Sequence, residues 1–253
     1  MLAQMVDNLN PYTVGYSELM YRYASIIAKE MKLDRQEAEE IGIAAYLSNI
    51  GVLGLSNDLF KKEGRYTELE YEMMKLHADV GASLIEATIG NSRIASYVRH
   101  HHERMDGYGY PAGLKGEEIP LGARIIAVAQ TFLAKLIGRK NRDPLPYTKA
   151  VELIKAASGT QLDPQAVEAL LKWFKRKQES CTRPDSSLAP CWEMRCSPES
   201  ICSRCAAYKS TEKNCWEFSE VKCFEHGNKC DTCVVYTEFL SRNSIKVPMR
   251  QEA

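Results

Sequence analysis

The sequence predicts an all-α domain followed by a small cysteine-rich part, and three observations support this division. Apolar residues recur at helical spacing in the first part, as in the run from Leu19 to Met31. The polar-apolar alternation that is typical of strands is nearly absent there. All nine cysteines lie between Cys181 and Cys233, so we expect different chemistry to stabilise the two parts.

The individual helices are predicted from periodicity and capping signals. Further helical runs extend over Arg35–Leu47, Leu121–Leu136 and Tyr147–Ala157. Thr67 and Glu70 form a capping box that opens another helix. Asp163 followed by Pro164 is an N-cap and first-turn pair for a last helix through Phe174.

Composition and charge indicate a cytoplasmic protein without a large electrostatic footprint. Basic and acidic residues balance at 33 each, so no global basic field attracts nucleic acid or an anionic membrane. No apolar run approaches the roughly 20 residues that a membrane span needs. Residues 1–10 lack the charged start and apolar core of a signal peptide.

The domain boundaries follow from the same composition. We expect a helical domain over residues 1–177 and a polar linker over 178–190, which contains Pro184 and Pro190. A cysteine-rich module is expected over residues 191–240, followed by a tail over 241–253.

The cysteine-rich module contains one pattern twice: CWE, an isolated cysteine, and then CxxCxxY. Its eight cysteines are Cys191, Cys196, Cys202, Cys205, Cys215, Cys223, Cys230 and Cys233. Four thiolates that include a CxxC pair are the usual ligands of a structural zinc site, and a segment this small has too little apolar area to fold unaided. We expect two four-cysteine zinc sites, with an iron–sulfur cluster, disulfides and ligation across the two copies as alternatives.

Other residues of the module have simpler interpretations. Cys181 is expected to be a free linker thiol, and Trp192 and Trp216 to pack over the metal sites. His226 can replace a cysteine as a ligand, but four thiols make this unnecessary. Charges balance here too, which favours a structural or protein-interaction role over nucleic-acid binding. The tandem resembles a cysteine-rich "two-CW" module of bacterial proteins, and that resemblance implies no activity.

The helical part contains a histidine cluster, His100, His101 and His102, which runs into a loop rich in glycine and proline. Histidines so placed can bind a metal, and such a loop presents backbone groups to a ligand or a partner. The loop residues are Asp106, Gly107, Tyr108, Gly109, Tyr110 and Pro111.

The full pattern HHExxDGxGYPxGLxGxxIPLxARI resembles the signature of HD-GYP domains, bacterial phosphodiesterases that act on cyclic di-GMP. The resemblance includes His77 and covers about residues 10–175. It implies an HD-type helical bundle in which a histidine–aspartate dyad bridges two or three metal ions, commonly iron or manganese. It also implies a bridging hydroxide that attacks the phosphodiester and a lysine that neutralises phosphate charge.

Several positions depart from that signature. Tyr16 stands for the early histidine, Ser48 and Asn49 for the dyad, Val52 for the lysine and Gln130 for a later aspartate. We therefore expect no intact catalytic residues and no intact binuclear iron or manganese centre, because bridging carboxylates are missing. His77, His101 and His102 remain, with the loop, and form a pocket that is empty or holds one soft divalent ion. His100 is expected outside this pocket.

Three functions are compatible with these residues. The leading hypothesis is a catalytically inactive regulatory, ligand-binding or protein-interaction domain in bacterial cyclic di-GMP-type signalling, with a signalling-domain or other protein partner and a cyclic dinucleotide as a further candidate ligand. The first alternative is an active or residual metal-dependent cyclic di-GMP phosphodiesterase. The second is a metal or redox sensor that uses a cysteine-ligated cluster.

Overall fold

The structure is a computed structural model of the 253-residue chain. It describes residues 3, 6–7, 15–56, 59, 62, 64–137, 145–179, 203–210 and 215–218. The chain divides into two compact units: Met1–Leu133 with Leu153–Trp173, and Ala134–Glu152 with Phe174–Ala253. All three histidines of the predicted pocket belong to the first unit.

The described residues fold as α-helices joined by turns, which confirms the all-α prediction for the helical part. The helices are α1 (Tyr16–Glu30), α2 (Arg35–Leu47), α3 (Glu68–Lys75), α4 (His77–Thr88), α5 (Ser92–His100), α6 (Leu121–Leu136), α7 (Tyr147–Ala157) and α8 (Pro164–Glu179). Short 3₁₀ turns span Ile50–Gly54, Gly116–Glu118 and Cys215–Glu217. Within the described ranges there is no strand, only an isolated bridge between Ser158 and Leu162.

Capping side chains begin the helices where the sequence predicts them. The Thr67 hydroxyl accepts a hydrogen bond from the Glu70 amide at 3.3 Å, and a Glu70 carboxylate oxygen accepts one from the Thr67 amide at 2.7 Å. Asp163 accepts hydrogen bonds from the amides of Gln165 and Ala166 at 2.7 and 3.1 Å. These acceptors satisfy amides that have no partner within their own helix.

The core of the first unit is built around Tyr23. Its ring meets those of Phe132 and Trp173 edge to face, with centroids 5.6 and 6.0 Å away. Met20 and Ile27, one turn to either side on α1, are fully buried. Of the apolar face predicted for residues 19–31, Tyr23 and Ile27 are buried in this core, whereas Leu19, Ile26 and Met31 are half-buried.

Packing between helices brings the ends of α4 and α5 together. Helix α1 packs on α2, α2 on α5, and α5 on α4, while the turn Ile50–Gly54 packs on α4. At that last contact a Cβ on Gly51 would lie 2.0 Å from the His77 carbonyl oxygen and 2.4 Å from the Gly81 nitrogen. Only glycine permits this approach, so Gly51 sets the turn against the first residues of α4.

The second unit is described in parts. The rings of Tyr147 and Phe174 pack with centroids 4.6 Å apart, and Leu136 is buried. Residues 178 and 179 belong to α8, so the predicted linker loses its first two residues to that helix. No described helix combines the length and apolar character that crossing a bilayer requires.

Most of the predicted cysteine-rich module lies outside the described residues. Of the eight repeat cysteines, Cys205 and Cys215 are described, and both are half-buried. The other residues singled out in the sequence of this part lie outside the described ranges: Cys181, Cys191, Cys196, Cys202, Cys223, Cys230, Cys233, Trp192, the side chain of Trp216 and His226. The zinc sites predicted there stay a prediction.

Candidate metal centre

Three histidines converge where α4 begins and α5 ends. His77 is the first residue of α4, His101 follows the last residue of α5, and His102 comes next. One ring nitrogen from each of the three lies within 4.8 Å of the others. Among the described residues, no other group of three or more histidine, cysteine or acidic side chains converges in this way, and this group includes no carboxylate.

Backbone carbonyls orient two of the three rings. Nδ1 of His77 lies 2.7 Å from the Met74 carbonyl oxygen, and Nδ1 of His101 lies 2.5 Å from that of Val98. Because a carbonyl only accepts, each Nδ1 carries the proton and each Nε2 keeps its lone pair. Both Nε2 atoms are buried and have no hydrogen-bond partner in the described part of the chain. Metal-binding histidines are oriented in this way by their second ring nitrogen.

Burial keeps the three imidazoles neutral near pH 7. Desolvation, followed by the nearby His77, lowers the pKa of His101 to about 3. Desolvation also lowers the pKa of His102 well below its usual value, with further contributions from His101 and His77. The pKa of His77 is lowered by burial, against the opposing effect of its hydrogen bond to Met74. Neutral rings are the form that binds a metal.

Gln130 on α6 faces the third histidine. Its Nε2 lies 3.5 Å from Nε2 of His102. Its Oε1 is buried and has no partner in the described ranges. The position that the resemblance assigns to an aspartate thus places a neutral amide beside the histidines.

The glycine-rich loop returns to the histidines through Tyr110. The Tyr110 ring stacks on that of His102, with centroids 4.6 Å apart and 18° between the planes. The Tyr110 amide donates to the His102 carbonyl oxygen at 3.3 Å. A Cβ on Gly109 would lie 2.4 Å from Cα of Glu103, so the loop passes against the backbone here and requires glycine.

Glu103 holds the other side of the loop, and the sequence interpretation did not single it out. Its Oε1 accepts hydrogen bonds from the amides of Ala112 and Gly113 at 2.7 and 3.1 Å. Glu103 is 3% exposed. Its Oε1 also lies 3.7 Å from Nδ1 of His100. His100 is not one of the three converging histidines. The available sequence signal was the acidic residue directly after the three histidines.

The tip of the loop is braced separately. Asp106 accepts two hydrogen bonds from the Arg104 guanidinium, at 2.9 and 2.6 Å, which lower the pKa of Asp106 to about 2. The Asp106 amide donates to the Thr160 carbonyl oxygen at 2.8 Å. Tyr108, at the tip, is 85% exposed. Gly107 and Pro111 complete the turn, with a positive φ at Gly107 and a cis bond before Pro111.

The four remaining predicted positions lie at the start of α1, at the end of α2 and in the turn that follows α2. Ser48 is buried and its hydroxyl donates to the Ala45 carbonyl oxygen at 2.9 Å. Asn49 precedes the turn Ile50–Gly54 and is half-buried, and Val52 is buried in that turn. Tyr16 begins α1 and is half-buried. None of these side chains supplies a charge.

The donor set fits one divalent ion. Three neutral imidazoles with an open fourth position are a known ligand set for zinc and similar ions. A pair of ions needs bridging carboxylates to offset their mutual repulsion, and the described cluster offers none. The histidine cluster can therefore bind a single metal ion.

Comparisons with known proteins give the family and a set of named relatives. Residues 1–166 match the HD domain family. The chain is 34% identical over 186 residues to a 3'3'-cGAMP-specific phosphodiesterase of Vibrio cholerae, covering 73% of this chain and 40% of that protein. It is 33% identical over 182 residues to a cyclic di-GMP phosphodiesterase response regulator of Xanthomonas campestris, covering 71% and 48%. It is 39% identical over 153 residues to a cyclic di-GMP phosphodiesterase of Thermotoga maritima, covering 59% and 41%.

These relatives contradict the expectation of a catalytically inactive signalling domain. All three are named phosphodiesterases, at 33 to 39% identity, which favours the phosphodiesterase alternative. That expectation took the absence of carboxylates at Asn49 and Gln130 to mean the absence of catalytic activity. Three converging imidazoles that can bind a metal ion nevertheless remain. The chain spans between 40 and 48% of the length of these relatives. By the match over residues 1–166, the chain belongs to the HD domain family.

Proposed function

We propose that this HD domain is a metal-dependent phosphodiesterase of cyclic dinucleotides, whose single divalent ion is held by His77, His101 and His102. The observation that carries the proposal is the pair of buried Nε2 atoms of His77 and His101, which have no partner among the described residues. One ring nitrogen from each of these histidines and from His102 lies within 4.8 Å of the other two. The names of the relatives support the substrate class.

The protein's own residues prepare this site before any substrate arrives. The carbonyls of Met74 and Val98 hold two rings in the binding tautomer, and Tyr110 fixes the plane of the third. When bound, a divalent ion supplies Lewis-acid polarisation of a phosphoryl oxygen. Because the three ligands are neutral, they leave the positive charge of the site uncompensated, which favours an anionic phosphodiester.

Metal analysis combined with a hydrolysis assay tests the proposal. The full chain is loaded with iron, manganese, cobalt or zinc, and the linear products of cyclic di-GMP and 3'3'-cGAMP are measured. We expect turnover with at least one metal, and loss of both that metal and turnover in His101→Ala. His100→Ala is the matched control and keeps the metal. Absence of product with every metal contradicts the proposal.

For the cysteine-rich part we propose two zinc ions, one for each copy of the repeat. The support is the spacing of the four cysteines in each copy, which suits a structural zinc site. Native protein is then expected to contain two zinc ions beyond the ion of the histidine cluster, and Cys205→Ser to lose one of them. A brown protein that absorbs near about 400 nm favours the iron–sulfur alternative instead.

A protein partner is also proposed for this chain. The support is the exposed tip of the glycine-rich loop, where Tyr108 offers an aromatic side chain to a partner surface. Tyr108→Ala is expected to weaken capture of a signalling-domain partner and to leave the metal content unchanged. Unchanged capture counts against this role for the loop.

A further inference from the structure

Lys75 is the last residue of α3, two positions before His77. Its Nζ lies 5.3 Å from the centroid of the Tyr71 ring and 5.8 Å from that of Tyr110. Both distances are within the range of a cation–π contact. Because Tyr110 stacks on His102, a positive charge is held one aromatic ring away from the candidate metal ligands.

Lys75 forms an ion pair with an exposed carboxylate, which another anion can replace. Its Nζ lies 2.5 Å from a carboxylate oxygen of Glu72, whose side chain is 57% exposed. Exposed ion pairs of this kind contribute about 0 to 1 kcal/mol, since water solvates the partner well. The Lys75 side chain is 25% exposed, so most of it packs against the protein while part of it contacts solvent.

The chemistry of the proposed substrate requires such a cation. A cyclic dinucleotide carries two phosphodiester anions, and one divalent ion contacts one scissile phosphate. Val52, where the family resemblance expects a lysine, is buried at 5% exposure and carries no charge. The second phosphate therefore needs a positive partner from another position.

We propose that Lys75 is a substrate-binding residue, which pairs with a phosphate of the cyclic dinucleotide in place of Glu72. A lysine ammonium binds phosphate as a point charge and can do so beside an aromatic ring. This inference rests on the proposed function, because it places the substrate at the histidine cluster.

The test measures binding and turnover separately in the metal-loaded full chain. Binding is followed with a non-hydrolysable phosphorothioate analogue of cyclic di-GMP, and turnover with cyclic di-GMP and with the small diester bis(p-nitrophenyl) phosphate. The variants are Lys75→Met and Lys75→Arg. The matched control is Lys172→Met, which removes an exposed, ion-paired lysine on α8.

For Lys75→Met we expect about tenfold weaker binding of the analogue, since a hydrogen bond to a charged group is lost. KM for cyclic di-GMP should rise, with the metal content and the turnover of the small diester unchanged. Lys75→Arg should retain most of the affinity, and Lys172→Met all of it. The salt dependence of binding should also weaken in Lys75→Met.

Two results overturn the role of Lys75: wild-type affinity in Lys75→Met, or no binding of the analogue by the wild-type chain. Either result leaves the proposed function intact if the wild-type chain hydrolyses a diester. Conversely, Lys75-dependent binding without hydrolysis by any metal form overturns the proposed function and supports Lys75 as a phosphate ligand.

Discussion

The ring of Tyr110 lies nearly parallel to the imidazole of His102, with centroids 4.6 Å apart. This contact joins the glycine-rich loop to the candidate metal ligands. It makes the loop a part of the site's geometry, because rotation of His102 away from the other two histidines would break the stack.

Removing this ring should weaken metal binding. Tyr110→Ala is expected to lower the affinity of the histidine cluster for a divalent ion roughly fivefold, because an aromatic contact contributes about 0.5 to 1.5 kcal/mol. Tyr110→Phe keeps the ring and should keep the affinity. Tyr108→Ala, at the exposed tip, is the control. Calorimetric titration of each variant with the metal measures the difference in affinity. Equal affinities for Tyr110→Ala and wild type would contradict the role of the stack.

Glu103 is expected to stabilise the fold through the loop. Glu103→Ala removes the acceptor of the Ala112 and Gly113 amides and leaves a cavity, so the free energy of unfolding should fall by about 2 kcal/mol. Urea denaturation of the metal-free chain measures this change. Glu117→Ala, an exposed position on the Gly116–Glu118 turn, should change it by less than about 0.5 kcal/mol. A similar effect in both variants would show that Glu103 does not hold the loop.

A buried ion pair connects α6 to the start of α8. The Arg124 guanidinium lies 2.6 Å from a carboxylate oxygen of Asp163, and their side chains are 16% and 2% exposed. Arg124→Met leaves a buried carboxylate without its partner and should cost about 3 kcal/mol of unfolding free energy. The exposed pair of Lys172 and Glu168 offers the control, since Lys172→Met should cost at most about 1 kcal/mol. Comparable losses would contradict the importance of burial.

The metal-free chain should lose stability as the pH falls below about 6.5. The pKa of His101 is about 3 in the folded protein, against an unfolded value of about 6.5, so the unfolded chain binds more protons between these values. Stability that is present above pH 6.5 is therefore lost towards pH 3. His101→Leu should flatten this slope by up to about 1.4 kcal/mol per pH unit. Thermal melts across the pH series measure it, and an unchanged slope would contradict the assignment of a depressed pKa to His101.

Local sequence signals determined the helices. Arg35–Leu47, Leu121–Leu136 and Tyr147–Ala157 begin and end in the structure where periodicity predicts. The capping box at Thr67 and the cap at Asp163 are present as predicted. Such signals are readable because an apolar stripe and a capping oxygen act within one or two turns of the chain.

The sequence also determined that His101 and His102 are candidate ligands and that the positions at Asn49 and Gln130 carry amides. It led to a wrong conclusion about activity, since counting lost carboxylates treats each position separately. The relatives named as phosphodiesterases contradict that conclusion. Whether the remaining histidines can act together as metal ligands depends on the fold.

Only the tertiary structure decided how the site is assembled. Packing of α4 on α5 brings His77 to His101 and His102. Carbonyls of two different helices orient the rings of His77 and His101, whose Nε2 atoms are buried and have no partner among the described residues. The fold also places Lys75 over Tyr110 and buries Glu103, which accepts hydrogen bonds from the loop. No local pattern predicts these relationships, because side-chain direction and desolvation depend on residues that are distant in sequence and meet only in the folded chain.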